Sequence, residues 1–163
     1  MAAVLEYLQG RGVTFQVIPH QQAATSRDEA HVLGLPEGEV VKTIVATANY
    51  GYALMVIPAS RRLDMDLVKE ALGDPEARLA TERELQRAFP DYELGALPPL
   101  GLFLVAPMYI DPSVTELETV TFAAGRQDVS IRMTTTDLFR DDPVVITPLT
   151  AESSVATTAG GRT

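Results

Sequence analysis

The stretch Val40-Val41-Lys42-Thr43-Ile44-Val45-Ala46 decides how this chain is read. Apart from its lysine it is apolar or β-branched, the composition of a buried β-strand. Side chains alternate faces along a strand, so Val40, Lys42, Ile44 and Ala46 share one face and Val41, Thr43 and Val45 the other. Lys42 therefore points the same way as three apolar neighbours. An unpaired ammonium is costly to bury, so it must reach a cleft, a partner or solvent. A cleft with one amine at its base suits an anionic or carbonyl-bearing ligand. The plainer alternative is an edge strand whose lysine snorkels to water, and the strand taken alone favours it.

Outward from this strand, Asn49-Tyr50-Gly51 reads as a tight turn and Tyr52 to Pro58 as a returning strand, giving an apolar hairpin. Upstream, residues 2–10 read as a short helix and 13–18 as a strand, with a turn at Pro19-His20-Gln21-Gln22. Thr25 is placed to cap a helix to about Leu33, closed by Gly34 with Pro36 behind it. Downstream, Asp64 opens a helix that Gly73 ends, 77–80 is a short strand, and Thr81 with Glu84 forms a capping-box pattern for a helix to about Ala88. Residues 90–101 are a proline- and glycine-rich loop. Residues 102–106 and 108–110 read as strands, 119–123 and 129–133 as a hairpin, 134–139 as a short helix and 144–146 as a last strand. The pattern has no regular βαβ repeat. It predicts an α+β fold, a mixed and mostly antiparallel sheet with packed helices. Residues 1–148 are expected to form one domain, and 149–163, small and polar, a disordered tail.

A chain of 163 residues with 46% hydrophobic content can bury a sizeable core. It has no cysteine, which removes disulfides and thiolate chemistry and fits a cytoplasmic protein. No stretch approaches a membrane span, and the N-terminus lacks the pattern of a secretory signal, so no membrane partner is expected. A net charge of −9 argues against a broad nucleic-acid-binding face but allows a local basic rim, for which Arg61, Arg62, Lys69, Arg126 and Arg132 are candidates. Each of them, taken singly, reads as an ordinary surface charge. The two histidines, His20 and His31, are not spaced with carboxylates as metal ligands, so neither a metal nor a cofactor is expected. Nucleophile-elbow, P-loop and dinucleotide motifs are absent.

Two further stretches stand out. In Gly95-Ala96-Leu97-Pro98-Pro99-Leu100-Gly101 two prolines stiffen a backbone between glycines that permit close approach. Such a loop can present N–H groups to a carbonyl or carboxylate. Phe122-Ala123-Ala124-Gly125-Arg126-Gln127-Asp128 is a turn of small residues followed by polar ones, fit to line a pocket or to be a plain hairpin tip.

Taken in order, these pieces resemble the YbaK/prolyl-tRNA-synthetase-associated editing domains, the free-standing aminoacyl-tRNA deacylases. The matching stretches are the turn at His20 leading to Thr25, GLPEGEVVKTIV at 34–45, IPASRRLD at 57–64, GALPPLG at 95–101, YIDPSV at 109–114, and FAAGRQDVSIRM with TTDL at 122–138. The resemblance implies hydrolysis of the ester joining a wrong amino acid to the 3′ end of a tRNA. Lys42 stands at the family's hallmark strand lysine. Gly95, Pro99 and Gly101 match the pocket loop, with Leu100 where an aromatic is common, and Gly125 matches the late glycine turn. The implied catalytic set is Lys42 with Gly95 and Gly101, whose loop N–H groups would stabilise an oxyanion. His20, Thr25, Thr43, Leu97, Pro98, Pro99, Gly125 and Asp128 would border the substrate, and Arg61 and Arg62 would touch tRNA phosphates. The implied partners are the mischarged tRNA and, as a second candidate, an aminoacyl-tRNA synthetase. The rival expectation is a catalytically silent module of the same fold that binds tRNA or an aminoacyl group. A small-molecule sensor using the same pocket is a third.

Overall fold

The computed structural model describes residues 1–49 and 51–151. The turn expected at 49–51 therefore rests in part on a residue, Tyr50, outside the described set. The elements in chain order are α1 (Ala2–Gly10), β1 (Gln16–Pro19), α2 (Ser26–Leu33), a 3-10 turn (Glu37–Glu39), β2 (Val41–Ala48) and β3 (Gly51–Pro58). There follow α3 (Met65–Leu72), β4 (Arg78–Leu79), α4 (Glu82–Ala88), α5 (Gly101–Leu104), β5 (Met108–Ile110) and α6 (Pro112–Thr115). The chain continues with β6 (Thr119–Ala123), β7 (Val129–Thr134), α7 (Thr135–Phe139) and β8 (Val144–Ile146).

The fold is α+β with two sheets. A five-stranded sheet has the order β4-β2-β3-β5-β8, and a three-stranded sheet the order β1-β7-β6. β2 and β3 form the expected antiparallel hairpin, with Lys42 opposite Ile57. β3–β5 and β5–β8 are parallel, so the larger sheet is mixed. The two sheets join through a lone bridge between Val40 and Thr121. One sheet was expected; the hairpin β6–β7 instead recruits β1 and leaves the β2–β3 sheet to grow through β5 and β8.

Both faces of the larger sheet are covered, which explains why β3 is apolar at every position from Ala53 to Ile57. Val41, Val45, Leu54 and Val56 meet Val120, Phe122, Ile131 and Met133 of the smaller sheet, together with Val4 and Leu8 of α1. Ala46, Met55 and Ile57 on the opposite face meet Val68 and Leu72 of α3 and Leu149. The alternation expected around Lys42 holds within β2, whereas Val40, placed on the same face, precedes the strand and packs with Ala30 and Ala59. The Lys42 face carries Ile44 and Ala46 into the α3 cluster, while Lys42 itself lines a cleft.

Local signals place the helices. Thr25 accepts a hydrogen bond from the Asp28 N–H and Gly34 closes α2 in the left-handed region. Asp64 caps α3, and Thr81 and Glu84 complete a reciprocal capping box on α4. Three expectations are corrected. β1 begins at Gln16 rather than Val13, which is buried as a loop residue. Residues 101–104 form a helix where 102–106 was expected as a strand, and Val105 ends it at φ +58°. Periodicity cannot separate strand from helix in so short an apolar run, and the Asp142 carboxylate tips it by accepting the Gly101 N–H. Third, Leu149 and Thr150 belong to the domain and not to a tail: Leu149 is fully buried, and Asp111 accepts both their N–H groups. The remainder of the expected tail, 152–163, lies outside the described residues. No helix among the described residues is long and apolar enough to cross a membrane.

Candidate functional site

β4 pairs with β2 at Ala46 and Thr47 alone, and the Ala80 N–H reaches the Val45 carbonyl. Beyond that point the edge of β2 is open. Main-chain groups alternate direction along a strand, so Thr43, two residues from Val45, turns its N–H and C=O to this open edge. A cleft of about 590 Å³ occupies the place a longer β4 would fill. Its walls are Ala24 to Arg27 at the start of α2, Lys42 to Ile44 of β2, Arg61 and Arg62 after β3, and Gly95.

Lys42 is half-buried. Burial holds its amine below the ordinary lysine value, the charges of Arg27 and Arg62 push the same way, and Glu37 opposes them. Among the described residues Lys42 has no hydrogen bond or ion pair. Arg27 is held to Glu37 at 3.2 Å, while Arg61 makes a 3.4 Å contact to the Thr150 hydroxyl. A protein of net charge −9 thus gathers four cations at one cleft, with no carboxylate or imidazole among the lining residues. The Thr43 hydroxyl oxygen is buried without a partner among the described residues. The free N–H groups at the start of α2 add the positive end of a helix dipole.

Gly95 is the point where the proline loop touches this cleft. Its φ is +76°, and a Cβ there would lie 2.7 Å from the Ala24 carbonyl oxygen, so only glycine allows the two cleft walls to approach. Within the loop, the Ala96, Leu100 and Gly101 N–H groups are bonded to Glu93, Pro98 and Asp142. The Gly95 and Leu97 N–H groups have no intramolecular partner among the described residues.

Of the residues singled out from the sequence, Thr25, Lys42, Thr43, Arg61, Arg62 and Gly95 meet at the cleft. The others do not. Gly101 starts α5, its N–H is committed to Asp142, and a Cβ would meet Ala106 O at 2.9 Å, so its need for glycine is one of packing. Pro98 and Pro99 are buried, and Leu97 borders a smaller apolar recess with Phe89 and Tyr92. Gly125 is buried, with φ +95°, its N–H on the Ala96 carbonyl and Tyr92 3.0 Å from where a Cβ would stand. It therefore braces the proline loop from behind. Asp128 pairs with Arg126 at 2.9 Å. His20 turns to Ser130, whose hydroxyl lies 2.7 Å from Nε2. No group of metal-ligating side chains occurs among the described residues.

Ala24, Ser26, Arg27 and Ile44 were not singled out. Arg27 had a readable signal, since it lies in the first turn of a capped helix that begins beside a predicted pocket residue. Ser26 and Ile44 had none beyond adjacency to Thr25 and Thr43.

This α+β domain thus carries a cationic cleft at an open strand edge, between the start of α2 and the glycine-proline loop. The chain belongs to the aminoacyl-tRNA editing domain family, whose model matches residues 20–140. Similar curated proteins are proline–tRNA ligases, one from Fervidobacterium nodosum at 31% identity over 78 residues and one from a Thermotoga species at 26% over 88 residues. These matches take in 48% and 54% of this chain but span only 13% and 15% of the ligases. Among solved structures, the hypothetical protein APE2540 superposes with a TM-score of 0.83 at 27% identity, over 91% of this chain and 99% of its own. A candidate trans-editing enzyme for prolyl tRNA synthetase superposes with a TM-score of 0.79 at 24% identity, over 92% and 96% of the two chains, a likeness of fold.

Proposed function

We propose that this protein is a trans-acting deacylase that hydrolyses the ester of a mischarged aminoacyl-tRNA. The observation that carries this reading is the half-buried Lys42, without a partner among the described residues, in a cleft lined also by Arg27, Arg61 and Arg62. The 3′ end of an aminoacyl-tRNA offers phosphates, a ribose and an ester carbonyl within a few ångströms of one another. Lys42 and the arginines match the phosphates, which give affinity without sequence specificity. The Gly95 N–H, with the Leu97 N–H behind it, supplies a donor for the developing oxyanion. This narrows the donor set from the whole loop, because Gly101 is already bonded. Water is the nucleophile, oriented by the bound substrate and its ribose hydroxyl, since the cleft wall holds no general base. An ester is labile enough for positioning and charge stabilisation to suffice.

The missing base also favours a second reading, a silent module that binds the aminoacyl end without cleaving it. Deacylation of a panel of mischarged tRNAs, including alanyl-, cysteinyl- and seryl-tRNA, by wild type and Lys42→Ala separates the two. Fast release of one amino acid by wild type and its loss in the variant supports the enzyme. Binding of the panel with no release by folded wild-type protein supports the module.

A further inference from the structure

Glu29 is a carboxyl group on α2 that nothing in the proposed chemistry uses. It is 3% exposed and, among the described residues, has no cationic partner. Its neighbour is the hydroxyl of Ser130 on β7, itself fully buried, to which it is hydrogen-bonded. The same hydroxyl lies 2.7 Å from His20 Nε2, and His20 Nδ1 lies 2.6 Å from the Gln21 carbonyl. A carbonyl only accepts, so Nδ1 carries a hydrogen.

Counting hydrogens fixes the rest. Two links, Glu29–Ser130 and Ser130–His20, each need one hydrogen, and the serine hydroxyl supplies one. The other comes from a single proton held by Glu29 or by His20 Nε2. With the proton on Glu29, the acid donates to Ser130 and Ser130 donates to His20. With it on His20, both links reverse. Remove the proton while Nδ1 keeps its hydrogen on the Gln21 carbonyl, and two acceptors compete for one hydroxyl, so one link fails. Add a second and the hydroxyl keeps only the weaker acceptor, the carbonyl oxygen of the neutral Glu29 carboxyl. Burial pushes the Glu29 carboxyl up to about 7, against the pull of the Ser130 hydrogen bond.

Among the described residues the elements packed against α2 provide no substitute charge. Packed against α2 are the 3-10 turn with Glu37 and Glu39, and β6, which has no titratable residue. β7 adds Arg132, and the β6–β7 turn adds Asp128, which faces His20 but is paired with Arg126. On α2 itself Arg27, Asp28 and His31 are exposed.

We propose that Glu29, Ser130 and His20 form a single-proton latch that seats the start of α2, and with it the Thr25–Arg27 wall of the cleft, on the β1–β7 sheet. Loss of the latch proton frees one end of that connection and loosens the cleft wall. Glu29 and His20 are thus positioning residues, and the latch stands on geometry whether or not the ligand is an aminoacyl-tRNA.

The test is amide hydrogen exchange of α2 at pH 6 and pH 8.5, corrected for intrinsic rates, with the Glu29 carboxyl followed by carbon NMR. In wild type, α2 protection falls by about tenfold at the higher pH, as expected for linkage to about one pH unit of a single proton. In Glu29→Gln, whose amide N–H donates permanently to Ser130, protection stays level across the range. Ser130→Ala, if it folds, is poorly protected at both values. Wild-type protection that does not change with pH, an equal fall in Glu29→Gln, or a Glu29 carboxyl titrating in the ordinary carboxylate range overturns the latch. None of these readouts depends on deacylation, so the latch and the proposed activity fail separately.

Discussion

Replacing Gly95 by alanine tests how the cleft is built, and Gly73 provides its control. Both glycines sit at positive φ, +76° and +63°. A side chain in this region costs roughly 1–2 kcal/mol in strain, partly offset by the reduced freedom of the unfolded chain. At Gly73 nothing lies within 4 Å of the new Cβ, so strain is the whole effect and Gly73→Ala should cost about 1 kcal/mol. At Gly95 the Cβ stands 2.7 Å from the Ala24 carbonyl oxygen, 0.7 Å short of the 3.4 Å where ordinary contact begins. Backbone cannot yield as a flexible side-chain tip does. We expect Gly95→Ala to cost about 3 kcal/mol, because overpacking of this kind adds roughly 1–3 kcal/mol. The excess over Gly73→Ala is then about 2 kcal/mol, or roughly 4–8 °C in Tm for a domain of this size. Urea unfolding of both variants measures it. The movement that relieves the contact displaces residue 24 or residue 95, both cleft walls, so ligand affinity should fall in Gly95→Ala and hold in Gly73→Ala. Equal stabilities for the two variants would refute the close approach, and with it the claim that Gly95 couples the proline loop to the cleft.

Lys42→Met should abolish ligand binding yet leave stability unchanged or raise it by up to about 1 kcal/mol, since it removes a desolvated charge beside Arg27 and Arg62; thermal melting paired with a binding titration checks both halves. Asp111→Ala should destabilise by about 3 kcal/mol or more, because the carboxylate accepts the N–H groups of Ser113, Leu149 and Thr150, and limited proteolysis should then cut near residue 149. Burial alone would raise the Asp111 pKa, but the hydrogen bonds from Ser113, Leu149 and Thr150 outweigh it and leave it lowered; the stability it contributes is therefore present at neutral pH and lost as pH falls through the folded-state value. For Glu29 the sign is opposite: its folded pKa is raised to about 7, so wild type should lose stability relative to Glu29→Gln as pH rises through that value, by about 3 kcal/mol at most, measured as urea midpoints across pH.

The sequence carried the elements whose signals are local. The caps at Thr25, Asp64 and Thr81 and the left-handed closures at Gly34 and Gly73 were all readable, because a cap is one side chain meeting its own next turn. So was the face of β2 that bears Lys42. What stayed hidden was pairing over long separations. Nothing near Gln16 announces Arg132 as its partner, so the split into two sheets was invisible. Nor does the polar look of Thr150 reveal that Asp111 accepts its N–H across 39 positions. The site divides in the same way. Lys42, Arg61 and Arg62 declare themselves by charge in an acidic chain. Gly101 shows the limit of such reading, because glycine records only a demand for room, and here Ala106 and Met108 already account for it.

The same distinction bears on what the cleft is for. A folded chain resolves its local conflicts wherever function allows. Here the unresolved ones concentrate on two elements. β2 carries an unpaired half-buried ammonium at Lys42, an unsatisfied buried hydroxyl at Thr43 and an open edge. α2 carries a buried carboxyl, Glu29, with no cation beside it among the described residues. The Thr135 hydroxyl is an exception, elsewhere in the fold. β2 and α2 are also the two elements that face each other across the cleft. A stable core did not require a lysine at position 42, since β3 beside it is apolar from Ala53 to Ile57. Methionine there would have extended the α3 cluster without desolvating a charge. The ammonium persists where, among the described residues, it meets no partner of its own, which is why the proposed function gives it a ligand bearing negative charge.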